Sequence, residues 1–248
     1  MSRSFPGPIV ITGANGGLGS TLVADLLAAG VTNLACQFRS SSDKVAEILE
    51  AHGLKPEDHL FRAELTLEED VHRMEAAIRN RLGAPWGLVN VAGGSTSGMS
   101  WKLSLVEFNA ILQGNLVSTF LTTRAFLPSM RQQGGGRIIN ISSILAHTGM
   151  PGASHYCAAK AGIEGFTRAV ALEAASKKVT VNALALGYFD KGIIAEVPAD
   201  ILEVIKSQIP LERLGNASEI FPLVSYLLSP ESAYMTGQVI HLNGGRYL

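Results

Sequence analysis

The chain has 248 residues, of which 47% are hydrophobic and 17% are charged, and its formal net charge is -1. This composition excludes a strongly basic nucleic-acid-binding surface and a disordered acidic tail, and it is sufficient for a large buried core. Two cysteines are too few for a disulfide framework or a zinc site, and no apolar run is long enough to cross a bilayer. We therefore expect one cytoplasmic domain over residues 1–248, with no metal, no nucleic-acid partner and no membrane partner.

Short β-rich runs alternate along the chain with longer helical patterns. This alternation predicts an α/β fold of the Rossmann type, a doubly wound, seven-stranded parallel sheet with helices on both faces. The predicted strands are Pro8–Thr12, Asn33–Phe38, His59–Arg62, Gly87–Val91, Gly136–Ser142, Thr180–Leu184 and Gln238–Leu242. The predicted helices are Leu18–Ala29, Asp43–Ala51, Glu68–Arg81, Leu105–Gln132 and Ser154–Ser176.

A glycine-rich turn follows the first predicted strand and opens the first predicted helix. Glycines let backbone N–H groups approach phosphate oxygens closely, and a helix start favours negative charge. In this strand–turn–helix context the pattern predicts a site for the pyrophosphate of a dinucleotide, while the alternative is a tight turn without a ligand. The residues of this predicted site are Gly13, Asn15, Gly16, Gly17, Leu18 and Gly19.

The end of the second predicted strand distinguishes between the two nicotinamide cofactors. A carboxylate there binds the ribose 2′-hydroxyl and repels a 2′-phosphate, but no acidic residue occurs before Asp43. Arg39 can pair with a phosphate and Ser40 can donate to it, so we predict a preference for NADP(H). The alternative is that Arg39 is an ordinary solvated charge.

The ends of the third and fourth predicted strands also belong to the predicted cofactor site, because ligands bind at the carboxyl ends of parallel strands in this architecture. These residues are expected to border the adenine and the nicotinamide ribose. They are Glu64 and Leu65 after the third strand, and Asn90, Ala92 and Gly93 at the fourth.

Tyr156 and Lys160 are four residues apart in a predicted helix, so they share one face. A cation beside the phenol lowers its pKa and makes the tyrosine a usable acid near neutral pH. Together with a dinucleotide site, the pair predicts hydride transfer coupled to proton transfer. The segment Tyr188–Pro210 has no strand partner and contains the amphipathic stretch Asp200–Ser207, which predicts a lid over the site.

Joined in this order, the motifs resemble the short-chain dehydrogenase/reductase family over nearly the whole chain, and most closely its 3-oxoacyl-ACP reductases and acetoacetyl-CoA reductases. The matching residues are Thr12–Gly19, Asn90–Gly93, Asn115, Ser143, Tyr156, Lys160 and Val181–Asn182. The chain departs from the family pattern at Val91, Leu186 and Asp190–Lys191, near the nicotinamide and the lid rather than at the acid.

The resemblance implies a role for each residue of a proton relay. Tyr156 would donate a proton to a carbonyl oxygen, Ser143 would orient that carbonyl, and Asn115 would position a water that links Lys160 to solvent. Lys160 would also bind the nicotinamide ribose, and Tyr156 and Gly187 would contact the cofactor. Ser142 is adjacent to Ser143, but strand alternation points it the other way.

The implied activity is NADPH-dependent reduction of a 3-oxoacyl thioester, carried on acyl carrier protein or coenzyme A, by a homotetramer. One alternative is an enzyme acting on another secondary alcohol or ketone, such as a sugar, polyol or steroid. Another is a cofactor-binding regulator without catalysis. Arg131, Lys177 and Lys178 are either a docking surface for the acidic carrier or ordinary solvated charges. His147 and Met150 either line the substrate pocket or pack within a loop.

Overall fold

The computed structural model describes residues 5–192, 194 and 197–248. Its sheet has seven parallel strands in the order β3-β2-β1-β4-β5-β6-β7, with helices on both faces, so the predicted fold is confirmed. The strands are β1 (Ile9–Thr12), β2 (Leu34–Phe38), β3 (Leu60–Arg62), β4 (Gly87–Asn90), β5 (Gly136–Ser143), β6 (Val179–Leu186) and β7 (Val239–Leu242).

Ten α-helices are present in the described part of the chain. They are α1 (Gly17–Ala28), α2 (Asp43–Ala51), α3 (Pro56–His59), α4 (Glu68–Leu82), α5 (Leu105–Leu112), α6 (Ser118–Gln133), α7 (Leu145–Thr148), α8 (Ser154–Ala174), α9 (Ala199–Ser207) and α10 (Phe221–Leu228). Short 3₁₀ helices cover Ala175–Lys177, Ala217–Ile220 and Pro230–Ser232. No helix among these residues is both long enough and apolar enough to cross a membrane.

Three features of the helices differ from the sequence-based prediction. The long helix predicted from Leu105 is two helices, α5 and α6, joined by a π-helical turn over Gln113–Val117. The short helices α3 and α7 were not predicted because four residues carry no measurable periodicity. Helix α10 was not predicted because an apolar run of eight residues does not distinguish a helix from a buried strand.

The core lies on both faces of the sheet. The strands β1, β4, β5 and β6 are buried along their whole length, as expected for parallel strands between two helix layers. One cluster of apolar side chains includes Val23 and Leu26 of α1, and the other includes Phe126 and Met130 of α6. The helices therefore hold the strand ends rigidly against one another.

The strand order places the candidate site. From the central pair β1 and β4, the chain extends outward in both directions, to β3 on one side and to β7 on the other. At the point where the strand order reverses, the connection after β1 and the connection after β4 run to opposite faces of the sheet. A crevice therefore opens between them at the carboxyl ends of the strands. The predicted lid, residues 188–210, contains α9 and flanks this crevice, although Ile193, Ala195 and Glu196 of that segment lie outside the described residues.

Candidate active site

A cleft of about 1110 Å³ opens at the carboxyl ends of the strands. Its walls contain the turn after β1, the ends of β2 to β6 and part of the predicted lid. The structure brings together the following predicted site residues around it: Gly13, Asn15, Gly16, Gly17, Leu18, Gly19, Arg39, Ser40, Glu64, Leu65, Ala92, Gly93, Asn115, Ser143, Tyr156, Lys160 and Gly187.

Asn90 does not line this cleft, in contrast to the expectation that it borders the nicotinamide ribose. Its side chain is buried, with Nδ2 donating to Asn140 Oδ1 at 2.9 Å and Oδ1 accepting from Thr122 Oγ1 at 2.8 Å. Strand alternation directs this amide toward the α6 layer rather than toward the crevice. Asn90 therefore connects β4 to β5 and α6 below the site.

The turn after β1 has the properties of an anion site. Helix α1 begins after Gly16, and no side chain caps its first turn, so the N–H groups there are available to a ligand at the edge of the cleft. Gly13 has a positive φ of 64°, and a Cβ at this position would lie 2.9 Å from Ala92 Cα. This turn fits the pyrophosphate of a dinucleotide, since its backbone is both exposed to the cleft and unobstructed by side chains.

Gln37, which the sequence analysis did not identify, fixes the position of this turn. Its Oε1 accepts the Gly13 N–H at 2.7 Å, and its Nε2 donates to Ala63 O at 2.8 Å. The side chain is buried in β2 and connects the turn to the end of β3. The sequence signal for this role of Gln37 was a single amide side chain within an otherwise apolar strand.

The end of the cleft beside β2 and β3 is cationic. A second cavity, of about 340 Å³, is lined by Arg39, Arg62, Glu64, Asp70 and Arg73. Arg73 is paired with Asp70, whereas Arg39 forms no ion pair within the described residues. Arg62 was not predicted to take part, and its Nε donates to Arg39 O at 3.1 Å. Arg39 is therefore a free cation at the end of β2.

Tyr156, Ser143 and Lys160 meet at the base of the cleft. Tyr156 and Lys160 lie on one face of α8, and the Lys160 Nζ is 5.5 Å from the centre of the Tyr156 ring. The Ser143 side chain is close enough to the Tyr156 hydroxyl to lower its pKa, and the Lys160 Nζ donates to Ile141 O at 2.8 Å. All three side chains are buried, so their proton positions are set by the protein rather than by bulk water.

The prediction that Lys160 lowers the pKa of Tyr156 is wrong for this arrangement. Burial raises the pKa of the Tyr156 hydroxyl to about 12, and the hydrogen bond from Ser143 offsets only part of that increase. Burial also lowers the pKa of the Lys160 ammonium to about 8. Desolvation disfavours the charged form of both groups, and it is the largest cause of each shift.

Asn115 lies in the π-helical turn between α5 and α6. Its Nδ2 donates to Ile111 O and to Gly94 O, both at 2.9 Å. Its Oδ1 is buried without a hydrogen-bond partner, and a Cβ on Gly93 would lie 2.5 Å from this oxygen. Because an unpaired buried acceptor is costly, this position fits a water or a ligand group that donates a hydrogen bond.

Ser142 and Ser143 face opposite sides of β5, as strand alternation predicts. Ser142 Oγ donates to the Glu164 carboxylate at 2.8 Å, and His147 Nε2 lies 3.0 Å from the same oxygen. Glu164 is buried one turn beyond Lys160. This four-residue spacing was the sequence signal for the polar group, and the sequence analysis did not use it. His147 thus packs behind the site, whereas Met150 lines the cleft.

The opposite end of the cleft is apolar. Tyr188 and Met150 face each other with a contact of 3.9 Å between the hydroxyl and the sulfur. Ile201 and Ile205 of α9 line the same wall, and Arg246, which was not predicted, lines its edge. No group of three or more His, Cys, Asp or Glu side chains in the described residues could hold a metal ion.

A glycine turn that fits a pyrophosphate, in one cleft with a buried tyrosine and lysine, is typical of nicotinamide-dependent oxidoreductases. A family model described as Enoyl-(Acyl carrier protein) reductase matches residues 13–246. The chain belongs to the short-chain dehydrogenase/reductase family, and it is an oxidoreductase acting on CH–OH groups.

Two relatives illustrate the sequence similarity of this chain to known proteins. The chain is 37% identical over 240 residues to the 3-oxoacyl-(acyl-carrier-protein) reductase FabG of Pseudomonas aeruginosa, with 96% of each chain covered. It is 35% identical over 242 residues to the acetoacetyl-CoA reductase of an Acinetobacter species, covering 96% of this chain and 97% of the relative. A solved structure from Agrobacterium tumefaciens, described as a gluconate dehydrogenase, shares the fold with a TM-score of 0.90 at 24% identity, covering 98% of this chain and 96% of that one.

Proposed function

We propose that this chain is an NADPH-dependent reductase that converts a 3-oxoacyl thioester, carried on acyl carrier protein or coenzyme A, to the 3-hydroxyacyl thioester. The observation that carries the proposal is the grouping of Ser143, Tyr156 and Lys160 in one cleft that also contains the turn after β1. The names of the two relatives support the substrate class.

In this proposal Tyr156 is the general acid. With a pKa of about 12 the phenol holds its proton at neutral pH, as a proton donor in the direction of reduction must. It donates that proton to the carbonyl oxygen, and Ser143 then stabilises the phenolate through their hydrogen bond. Before the transfer the single Ser143 hydroxyl proton is donated to the carbonyl oxygen, which polarises the bond, and after the transfer it is donated to the phenolate. NADPH, when bound along the turn after β1, supplies the hydride.

Lys160 and Asn115 return the proton to Tyr156. Because its pKa is about 8, the Lys160 ammonium releases a proton near neutral pH more readily than an exposed lysine does. A Cβ on Gly93 would lie 3.6 Å from the Lys160 Nζ and 2.5 Å from Asn115 Oδ1, so the two atoms flank the same glycine. A water held by Asn115 Oδ1 would connect this lysine to solvent. Lys160 would also bind the nicotinamide ribose.

The cofactor preference depends on Arg39 and Ser40. The unpaired Arg39 guanidinium is a charge-assisted donor for a ribose 2′-phosphate, and Arg62 adds a second cation to the same cavity. Arg39→Ala should lower kcat/KM for NADPH by roughly 10- to 100-fold, mainly through KM, because a hydrogen bond to a charged group contributes about 1.5–3 kcal/mol. The value for NADH should change little. Steady-state kinetics with both cofactors measures the difference.

Arg73→Gln is the matched control for this experiment, because Arg73 lines the same cavity but is paired with Asp70. Its cofactor preference should stay close to that of the wild type. A wild-type enzyme that prefers NADH, or an Arg39→Ala variant that keeps its NADPH preference, would contradict the proposal.

A panel of substrates tests the reaction itself. We expect NADPH oxidation with acetoacetyl and longer 3-oxoacyl thioesters, and much slower oxidation with a 2-enoyl thioester, a sugar, a polyol or a steroid ketone. The enoyl thioester tests the activity in the description of the family model. Absence of turnover with every 3-oxoacyl thioester would reject the proposed substrate class.

The assembly belongs to the same proposal. Helices α5, α6 and α8 expose the apolar side chains Leu105, Val106, Phe120 and Leu172. Exposed apolar groups of this size support contact with further copies of the chain, and we propose a homotetramer. A monomer in light scattering would contradict it. The acyl carrier protein is the proposed macromolecular partner, on the strength of one relative's name.

A further inference from the structure

The outer part of the cleft contains a cation that the proposed chemistry does not use. Arg246 lies after β7 and lines the same end of the cleft as Met150 and Tyr188. Its Nη2 donates to Gln208 Oε1 at 2.8 Å, which is a neutral partner. Across the described ranges of the chain, Arg246 forms no ion pair. The guanidinium therefore keeps most of its donors available to a molecule in the cleft.

The surroundings of Arg246 strengthen its attraction for an anion. The neighbouring wall is apolar, with Ile201 and Ile205 of α9 on one side and Met150 on the other. Tyr188 is half-buried there, and burial raises the pKa of its hydroxyl while the Arg246 charge lowers it. The Arg246 charge therefore acts on a neighbouring group of the cleft wall. A half-buried cation in such a wall interacts with an anion more strongly than one in bulk water does.

The backbone holds Arg246 in a fixed position. Its N–H donates to Asn243 O at 3.2 Å, and Asn243 Nδ2 donates to Tyr247 O at 2.8 Å. The Tyr247 ring stacks on His147 at 4.9 Å between ring centres, and His147 in turn contacts the buried Glu164. Arg246 is therefore anchored to the same helix that carries Tyr156, which reduces the entropy lost when a ligand binds.

Resting on the proposed function, we infer that Arg246 is a specificity residue that binds an anionic oxygen group of the substrate at a distance from the reacting carbonyl. The group is a phosphate or a carboxylate, because guanidinium binds both through paired N–H donors. In a thioester the source is the phosphate of the pantetheine arm, and in a free 3-oxo acid it is the carboxylate. The apolar wall between Arg246 and Tyr156 contacts the uncharged part of the molecule.

Two matched pairs of substrates separate the two sources. The first pair is acetoacetyl pantetheine 4′-phosphate and acetoacetyl pantetheine, and the second is acetoacetate and its ethyl ester. We expect the wild type to favour the charged member of one pair by roughly 10- to 100-fold in kcat/KM, mainly through KM. Arg246→Gln should remove that preference and leave kcat/KM for the neutral member within about twofold. Arg246→Lys should retain part of it.

The control is Arg213→Gln, because Arg213 is exposed and paired with Glu219 away from the cleft. It should leave both preferences unchanged. The inference is overturned if Arg246→Gln keeps the wild-type preference, or if it lowers kcat/KM equally for charged and neutral substrates. Circular dichroism checks that each variant is folded, and Arg246→Met is the second variant if the glutamine variant is not.

A binding measurement keeps this inference separate from the proposed function. Pantetheine 4′-phosphate and glutarate carry the anions but no ketone. At least one should raise the Tm of the wild type, and neither should raise that of Arg246→Gln. If no thioester is reduced, the proposed function fails, and the Tm shift still shows whether Arg246 binds an anion. If thioesters are reduced but the shift does not depend on Arg246, the anion site is rejected and the proposed function stands.

Discussion

Tyr156→Phe should lower kcat by at least about 100-fold, because the variant keeps the ring and loses the proton that a general acid transfers. The fold should be unchanged, since the ring that packs with Ile111 and Ala159 is retained. Cofactor affinity should change little. Single-turnover NADPH oxidation measures the chemical step, and cofactor titration measures binding separately.

Tyr188→Phe is the matched control, because Tyr188 is a second tyrosine in the same cleft and its hydroxyl contacts the Met150 sulfur. Its kcat should remain within a few-fold of the wild type. Near-normal turnover of Tyr156→Phe would remove the residue from its proposed role.

Lys160→Met should lower kcat by about 100-fold or more and make the cofactor-free protein more stable at neutral pH. The pKa of Lys160 is about 8 in the folded chain, against its ordinary value of 10.5. The folded state therefore binds this proton less tightly than the unfolded state, and a destabilisation of about 3 kcal/mol is fully present below pH 8. It disappears as the pH rises from about 8 to above 10.5. Lys160→Met carries no ionisable group at this position, so it lacks this destabilisation at every pH.

Urea unfolding at pH 7 and at pH 10 measures this effect. We expect the free energy of unfolding of Lys160→Met to exceed that of the wild type at pH 7, and the gap to narrow at pH 10. Lys191→Met, an exposed lysine on the cleft wall, is the control and should show no such change. A Lys160→Met variant that is equally destabilised at both pH values would contradict the prediction. The lysine would then contribute packing rather than a buried charge.

The sheet could be predicted from the sequence because each strand is a short apolar run between helices with clear periodicity. The predicted strand β6 ended at Leu184, two residues early, because Ala185 and Leu186 continue the apolar run without a turn residue. The positions of Tyr156 and Lys160 on one helical face followed from their spacing. The turn after β1 followed from its context between a strand and a helix.

Other parts of the site depend on contacts that no local pattern records. The pKa of Tyr156 depends on how much protein covers it, which spacing does not reveal. Gln37 and Glu164 become important through partners 24 to 26 and 17 to 22 residues away along the chain. Arg246 lies at the cleft next to Tyr247, whose ring stacks on His147 about 100 residues away along the chain. The pKa of Tyr156 and the positions of these three side chains depend on packing between residues that are far apart in the sequence. The periodicity of the sequence contains no information about such contacts.

The π-helical turn over Gln113–Val117 makes the site sensitive to chain length. A π turn holds one residue more than the α-helix around it, and that residue lets the Asn115 amide bond to Ile111 O. Deleting a single residue there would restore a regular helix through α5 and α6 and rotate side chains within the turn itself by about 100°. Asn115 would then point away from Gly93. A one-codon deletion in this stretch would leave the fold intact but displace Asn115 from the active site, whereas the same deletion in a surface loop would be tolerated.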